Sequence, residues 1–338
     1  METFVTMKIP TIACILYAIG IFSLFSLKTY LYDTAPIFAL LYAFAPYLFL
    51  PLLILLPITI ILNAKHALIS LALVILLFIA QYGLLFFPQL PQPSTNIGQE
   101  LDVLTYNLGP GRARPKEVFD ILVQQDADII AVQEVTPSVT AVFRQGLIDT
   151  YPYMILNPPY STGLLSRYPV LSSERLTISN TDRTYLHAVI NRPPQPVHVL
   201  VVHPVVPDII WGSAVPWQNG FHDKIQRESI TRVAEYAETL TMPVIIMGDF
   251  NMTPQADAYT RMTTTFVDTH TAAGFGFGFS FPNDTWVAGV KLSWPLVKID
   301  HIFHSQEFQT MDSQTKCYAG SDHCLIHARL RLGPSVSP

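Results

Sequence analysis

The chain reads as two joined parts, a helical membrane-embedded first third and a larger α/β domain built on stacked sheets. Three observations predict this. Charge is scarce overall and nearly absent early on. Short apolar strands alternate with a few amphipathic helices after residue 100. Many of those strands end in a residue able to bind metal or move a proton.

The 338 residues are 50% hydrophobic and only 13% charged, against about 25% charged in an ordinary soluble protein. That composition excludes a disordered chain and a typical soluble enzyme. Net charge is −5, which argues against a surface built to track nucleic acid. Residues 1–100 hold three acidic and three basic side chains, so the whole imbalance lies in the remainder.

Residues 9–27, 35–64 and 67–88 carry no Asp, Glu, Lys or Arg. A bilayer span needs about 20 apolar residues. The reading is three transmembrane helices, at 9–27, 38–62 and 67–88, within a membrane region 1–90. Pro36, Pro46, Pro51 and Pro57 punctuate the second run and predict a kink. No charge lies inside a span, so an anchor is expected rather than a transporter. Lys8 and Lys65 against Lys28 place the N-terminus inside and everything after the third helix outside the cytoplasm. The protein is thus expected in the cell membrane as a multi-pass chain. Residues 91–100 read as a Pro/Gln/Ser linker.

The domain from 101 to 338 contains strands at LDVLTYN, ADIIAVQEV, TGLLSRYPV, TYLHAVIN, PVHVLVVHP, PVIIMGDFN, KIDHIFHS and CLIHARLRL. Helices are expected at PKEVFDILVQQ and KIQRESITRVAEYAETL. Asn107, Glu134, His203, Asp249 with Asn251, Asp300, and Asp322 with His323 all fall at strand ends or in the loops beside them. One such residue is an ordinary cap. All of them together mark a site assembled along one sheet edge.

LTYNL, VQEV, GLLSRYPV, VVHP, IIMGDFN, KIDHIF and GSDH, in this order, resemble the serial motifs of the endonuclease/exonuclease/phosphatase superfamily. The resemblance covers residues 101–332. It implies a four-layer α/β sandwich of the DNase I-like kind, preceded here by three transmembrane helices. It also implies a divalent-metal-dependent phosphoester hydrolase using Mg²⁺ or Mn²⁺. By the same resemblance Glu134, Asn107 and Asp322 surround the metal. Asp249 and Asn251 orient water and phosphate, and His203 supports the phosphate or leaving group. His323 is the second catalytic histidine, with Asp300 as its carboxylate partner.

The chemistry asks for these residue types. An anionic phosphoester repels hydroxide unless its charge is neutralised. A hard cation held by one or two carboxylates does that. An Asp–His pair fixes one imidazole tautomer and stabilises imidazolium. The expected partners are a phosphate-ester substrate (nucleic acid, phospholipid head group or small ester) and the bilayer, with no obligate protein partner. A non-catalytic tethered binding module of the same fold is the alternative, and the intact polar set speaks against it.

The sequence departs from the family pattern at Val202 before the first histidine, at Cys324-Leu325 after SDH, and in the loop GFGFGFSFP. These departures bear on substrate more than on catalysis. The alternating Gly274–Phe279 stretch reads as a packed turn. His187, His198, His222, His270, His301, His304 and His327 lack zinc-type spacing. Arg183 either meets a phosphate or makes a surface ion pair. Cys317 and Cys324 bracket GSDH; outside the cytoplasm they are able to pair, and two free thiols are the plainer reading.

Overall fold

The computed structural model describes residues 2–87, 100–109, 114–156, 162–178, 181–241, 243–287 and 289–333. The 91–100 linker therefore lies outside the described residues, apart from Glu100, which opens a strand. The chain divides into two compact units. One joins Met1–Phe87 to Asp208–His222, and the other joins Pro88–Pro207 to Asp223–Pro338.

In the first unit, Ile9–Ser26 and Lys65–Phe86 are helices long and apolar enough to cross a membrane. The middle run is broken. Pro36–Ala43 and Ala45–Ile61 meet at 74°, so the expected kink is a sharp bend. The cause is local. Pro46 sits in a 3₁₀ turn, Ala45–Phe49, and Pro51 precedes the next helix, Leu52–Ile61. Each proline removes a backbone donor and crowds the preceding turn. Among the described residues, two helices, or three if the bent pair counts as one, are thus long and apolar enough to cross a membrane.

Small residues hold this unit together. Cys14, Ala64, Ala67 and Leu71 are buried against Tyr17, Leu52, Leu55 and Leu56, and small side chains let helices approach closely. The outward faces stay apolar, with Leu16, Ile19, Leu53, Ile61, Ile69 and Leu76 exposed.

The hairpin Asp208–Ile210 with Gly220–His222 belongs to the same unit. Its Phe221 packs on a cluster of Tyr32, Ala39 and Tyr42. Gly220 makes the approach possible. Its φ is +139°, and a Cβ there would lie 2.1 Å from the Pro36 carbonyl oxygen.

The second unit has two six-stranded sheets. The first runs, in spatial order, Phe308–Lys316, Leu325–Leu332, Glu100–Asn107, Ile129–Gln133, Thr162–Ser166, Tyr153–Leu156. The second runs Val267–Asp268, Asp300–His304, Val244–Asp249, Val197–Val202, Tyr185–Ile190, Val170–Leu176. Each sheet contains one parallel pair. These are Glu100–Asn107 beside Ile129–Gln133, and Val197–Val202 beside Val244–Asp249.

The sheets face each other across a core that includes Leu101, Val103, Ile129 and Ala131 from one and Val199, Val201, Ile245, Met247 and Ile302 from the other. Helices Pro115–Gln125 and Pro137–Gly146 cover one outer face through Val118, Leu122, Val139 and Phe143. Helices Lys224–Glu238 and Asp257–Thr263 cover the other through Ile230, Val233, Ala258 and Met262. The fold is the expected four-layer DNase I-like sandwich.

Side chains alternate between faces along a strand. Leu101 and Val103 point inward, and the same parity continues to Thr105 and Asn107. Val199 and Val201 lead in this way to His203, Ile245 and Met247 to Asp249, and Ile302 back to Asp300. The polar residues therefore continue the inner apolar rows where the core gives way to the site.

Candidate active site

Asn107 joins the sheets. Its Nδ2 donates to Asp249 Oδ2 on the opposite sheet at 2.9 Å and lies 3.4 Å from Glu134 Oε1, while its Oδ1 accepts from the Gly109 amide at 3.0 Å. Glu134 follows directly on the Ile129–Gln133 strand in the left-handed region, φ 59°. This turn re-aims it relative to the strand's alternation, and such conformations are held at some cost by their surroundings. His203 Nε2 lies 3.6 Å from Asp249 Oδ2 and 3.7 Å from Glu134 Oε1.

The GDFN turn is tightly held. The Asn251 amide donates to Asp249 Oδ1 at 2.8 Å, and Asn251 Nδ2 donates to the Pro204 carbonyl at 3.2 Å. Gln226 Nε2 donates to the carbonyls of Phe250 and Asn251. Asn251 also has a positive φ, 53°.

His323 Nδ1 lies 2.9 Å from Asp300 Oδ2, and its Nε2 lies 3.8 Å from Asp249 Oδ2. Ser321 Oγ accepts from the His323 amide at 3.0 Å and donates to the Asn107 carbonyl at 2.6 Å. It ties the SDH loop to the first strand of the domain. Ser280 Oγ accepts from the Asp300 amide at 3.2 Å. Beneath them, fully buried Lys298 donates to the Asp300 carbonyl at 3.0 Å and pairs with Asp268 at 3.3 Å. His301 Nδ1 completes that group, 3.0 Å from Asp268 Oδ2.

Burial and charge set the protonation states. Burial raises Glu134 to about 7, with the nearby Asp249 charge adding to it and the Asn107 hydrogen bond opposing. Burial also raises Asp249. Burial lowers His203 to about 4, and the charge of Arg183 works in the same direction. Burial opposes charge on His323 too, but Asp300 and Asp249 outweigh it and raise that imidazole to about 10.

Could these residues hold a cation? Among the described residues, Glu134 Oε2, Asp322 Oδ1 and Asp300 Oδ1 are buried acceptors without a hydrogen-bond donor. Leaving carboxylate oxygens buried and unpaired is costly, and a hard divalent ion removes that cost. Gly109 keeps the space beside Asp322 open, since a Cβ there would lie 2.5 Å from its Oδ1. The donor set fits Mg²⁺ or Mn²⁺. A second grouping, Asp249, Asp300 and His323, has ligand atoms within 4.8 Å of one another. The His323–Asp300 hydrogen bond already accounts for that closeness.

The structure thus brings Asn107, Glu134, His203, Asp249 and His323 into direct mutual reach, with Asp300 behind His323, Asn251 in the adjoining turn and Asp322 beside Gly109. Sequence reasoning missed Gln226, Ser280, Ser321 and Lys298. Gln226 carries one signal, a polar side chain on the face of its helix that otherwise buries Ile230 and Val233.

Cys317 and Cys324 form a disulfide, with Cα atoms 4.2 Å apart, which corrects the free-thiol reading. The cause is register. Lys316 pairs with Leu325 in the antiparallel ladder, so Cys317 and Cys324 are the next opposed residues. The Gly-Phe loop wraps His270. Cβ atoms at Gly274 and Gly278 would come within 2.2 and 2.5 Å of its ring. His187 and His198 bond each other at 2.7 Å.

The sequence model of the Endonuclease/Exonuclease/phosphatase family matches residues 104–323. No protein of curated function matches the sequence. Among solved structures, a conserved protein of unknown function from Enterococcus faecalis V583 is similar at 17% identity and TM-score 0.55, over 69% of this chain and 100% of that one. D. rerio TDP2 complexed with a single-strand DNA product is similar at 14% and 0.55, over 69% and 99%. Sphingomyelinase C from Streptomyces griseocarneus is similar at 17% and 0.51, over 68% and 99%. These likenesses show a shared fold, and the family match spans every residue placed at the site above. The chain belongs to the endonuclease/exonuclease/phosphatase family.

Proposed function

We propose that the protein is a membrane-anchored phosphoester hydrolase dependent on Mg²⁺ or Mn²⁺. One observation carries the reading. Residues from facing sheets converge on a cluster of carboxylates in which, among the described residues, buried oxygens of Glu134, Asp300 and Asp322 have no donor. A merely structural polar cluster would satisfy itself.

Glu134, Asn107 and Asp322 would hold the cation, which supplies charge neutralisation and Lewis acidity to the phosphate. Asp249 accepts the proton of the attacking water; its raised affinity for protons suits a base. His323, held as imidazolium by Asp300, stabilises the anionic phosphate through Nε2–H. While His323 is charged, Asp249 is the base that takes the water's proton. His203 stays neutral beside Asp249 and supports the phosphate or leaving oxygen. Asn251, anchored at Pro204, orients the phosphate with its remaining hydrogen-bonding capacity.

The apolar helices anchor the chain in the cell membrane. Lys8 and Lys65 inside place the catalytic part outside the cytoplasm, and the Cys317–Cys324 bond suits that oxidising side. Proteins of similar fold differ in what they engage: D. rerio TDP2 is complexed with a single-strand DNA product, and the Streptomyces griseocarneus protein is a sphingomyelinase C. The acidic domain without a basic cluster favours a substrate other than nucleic acid.

The test is hydrolysis of bis-p-nitrophenyl phosphate by the full chain in detergent, with EDTA and then added Mg²⁺ or Mn²⁺. Loss and restoration are expected. Undiminished turnover in EDTA rejects the mechanism. A reporter fused after Ser94 should read extracytoplasmic.

A further inference from the structure

Every tryptophan of the chain is exposed. There are four, and Trp211, Trp217, Trp286 and Trp294 show 65, 63, 65 and 68% of their surface. Tryptophan is highly buried on average in soluble proteins. One exposed indole needs no explanation, but four of four does.

Trp286 and Trp294 sit on and just beyond the hairpin Thr285–Val287 with Val290–Leu292, where Val290 is exposed as well. This hairpin grows out of the catalytic loop's own support. Phe281 packs its ring 4.8 Å from that of His323. The Asn283 amide donates to the Asp322 carbonyl at 2.7 Å, and Asn283 Nδ2 donates to the carbonyls of Tyr318 and Ser321. Two residues later the hairpin begins, and it returns through Lys298 to Asp300. Exposed indoles are thus mounted on the segment that seats His323.

We propose that Trp286, Val290 and Trp294 form a contact with the bilayer surface, and that the substrate is a phosphoester carried on a lipid head group in that surface. The proposal rests on the hydrolase reading and on the apolar helices as spans. Three observations favour lipid over other occupants. Indoles prefer the membrane–water boundary, where an apolar ring and a polar N–H are both satisfied. The other two tryptophans, with exposed Ile209 and Ile210, lie on the Asp208–His222 segment that packs with the apolar helices. Only four residues of chain lie between His203 and Asp208, so a catalytic strand leads almost at once into the unit that holds the apolar helices.

The experiment uses the full chain, W211F/W217F, in phosphatidylcholine nanodiscs, so that emission comes from Trp286 and Trp294 alone. Blue-shifted emission that loses most of its intensity in discs of dibrominated phosphatidylcholine is the expected result. Unquenched emission at the wavelength of a water-exposed indole overturns the contact. Carbonate extraction separates the failures. A chain released into the soluble fraction refutes the spans, and a retained but unquenched chain refutes only this contact. In the same discs the unmodified chain is given embedded sphingomyelin or phosphoinositide, and single-stranded DNA or bis-p-nitrophenyl phosphate in the water phase, each with and without EDTA. EDTA-sensitive head-group release supports the substrate class. Cleavage of DNA or the soluble ester without lipid hydrolysis overturns the class and leaves the hydrolase reading standing. Inertness toward every ester refutes both.

Discussion

His323 turns its Nδ1 to Asp300 Oδ2 at 2.9 Å, and both side chains are buried. The carboxylate fixes the tautomer and favours the imidazolium. Asp300→Asn keeps the shape and removes the charge. The corresponding change in serine proteases costs about 10⁴ in rate, and a loss of that order is expected here. His323→Ala should be at least as damaging, and the double variant little worse than His323→Ala, because groups acting as a unit are not additive. Multiplicative losses in kcat would separate the two residues. Melting temperatures, recorded alongside, distinguish a misfolded chain from an unoriented imidazole.

Glu134→Gln should weaken Mg²⁺ binding and lower kcat by orders of magnitude while the fold persists. Isothermal titration of Mn²⁺ into the variant and the parent reads the first effect directly. Equal affinities would remove Glu134 from the cation site.

The same carboxyl gives a pH dependence. Burial raises Glu134 from 4.5 to about 7, so without a cation the folded protein keeps it protonated where the unfolded chain would ionise it. That mismatch costs stability as pH rises above 4.5 toward 7. A cation binds the ionised form and displaces the proton. Its apparent affinity should therefore climb roughly tenfold per pH unit below 7 and flatten above. Added Mg²⁺ should raise Tm more at pH 8 than at pH 5. A uniform rise at both would contradict the linkage.

Lys298 and Asp268 are both buried, and removing one leaves the other uncompensated. Lys298→Met should cost about 3–5 kcal/mol, read as a fall in Tm and in the urea midpoint. Lys298→Arg keeps the charge and should recover part of it.

Cys317→Ser with Cys324→Ser opens a short loop around Asp322 and His323. Chain-entropy arguments put the loss at about 2–3 kcal/mol. Activity should fall with it, because the disulfide joins the strand ends from which the His323 loop departs. A thiol assay on the denatured, unreduced parent should find only Cys14.

Much of the site was legible because strands alternate. Leu101, Val103 and Asn107 share one parity, as do Val199, Val201 and His203, so a polar residue ending an apolar row marks where the core stops. The Asp300–His323 pairing came through motif resemblance, and distances now accompany it. What stayed hidden depends on register and on long-range packing. The strand Phe308–Lys316 reads FQTMDSQTK, too polar to stand out, and without it the Cys317–Cys324 pairing has no basis. Gln226 acts through two carbonyls some 25 residues away in sequence. Lys298 reads as an ordinary charge until Asp268 is found beside it.

The union of Met1–Phe87 with Asp208–His222 has a consequence in time. Chains lengthen at about 5–20 residues per second, so the helices emerge on the order of ten seconds before Phe221 exists. Throughout that interval Tyr32, Ala39 and Tyr42 wait without the ring that covers them. The helical unit is therefore completed from downstream, by a segment that arrives only after His203 has been made. A ribosome stalled before residue 208 would leave the apolar helices without their closing piece, and premature termination there would yield a helical unit with an open seam at Pro36.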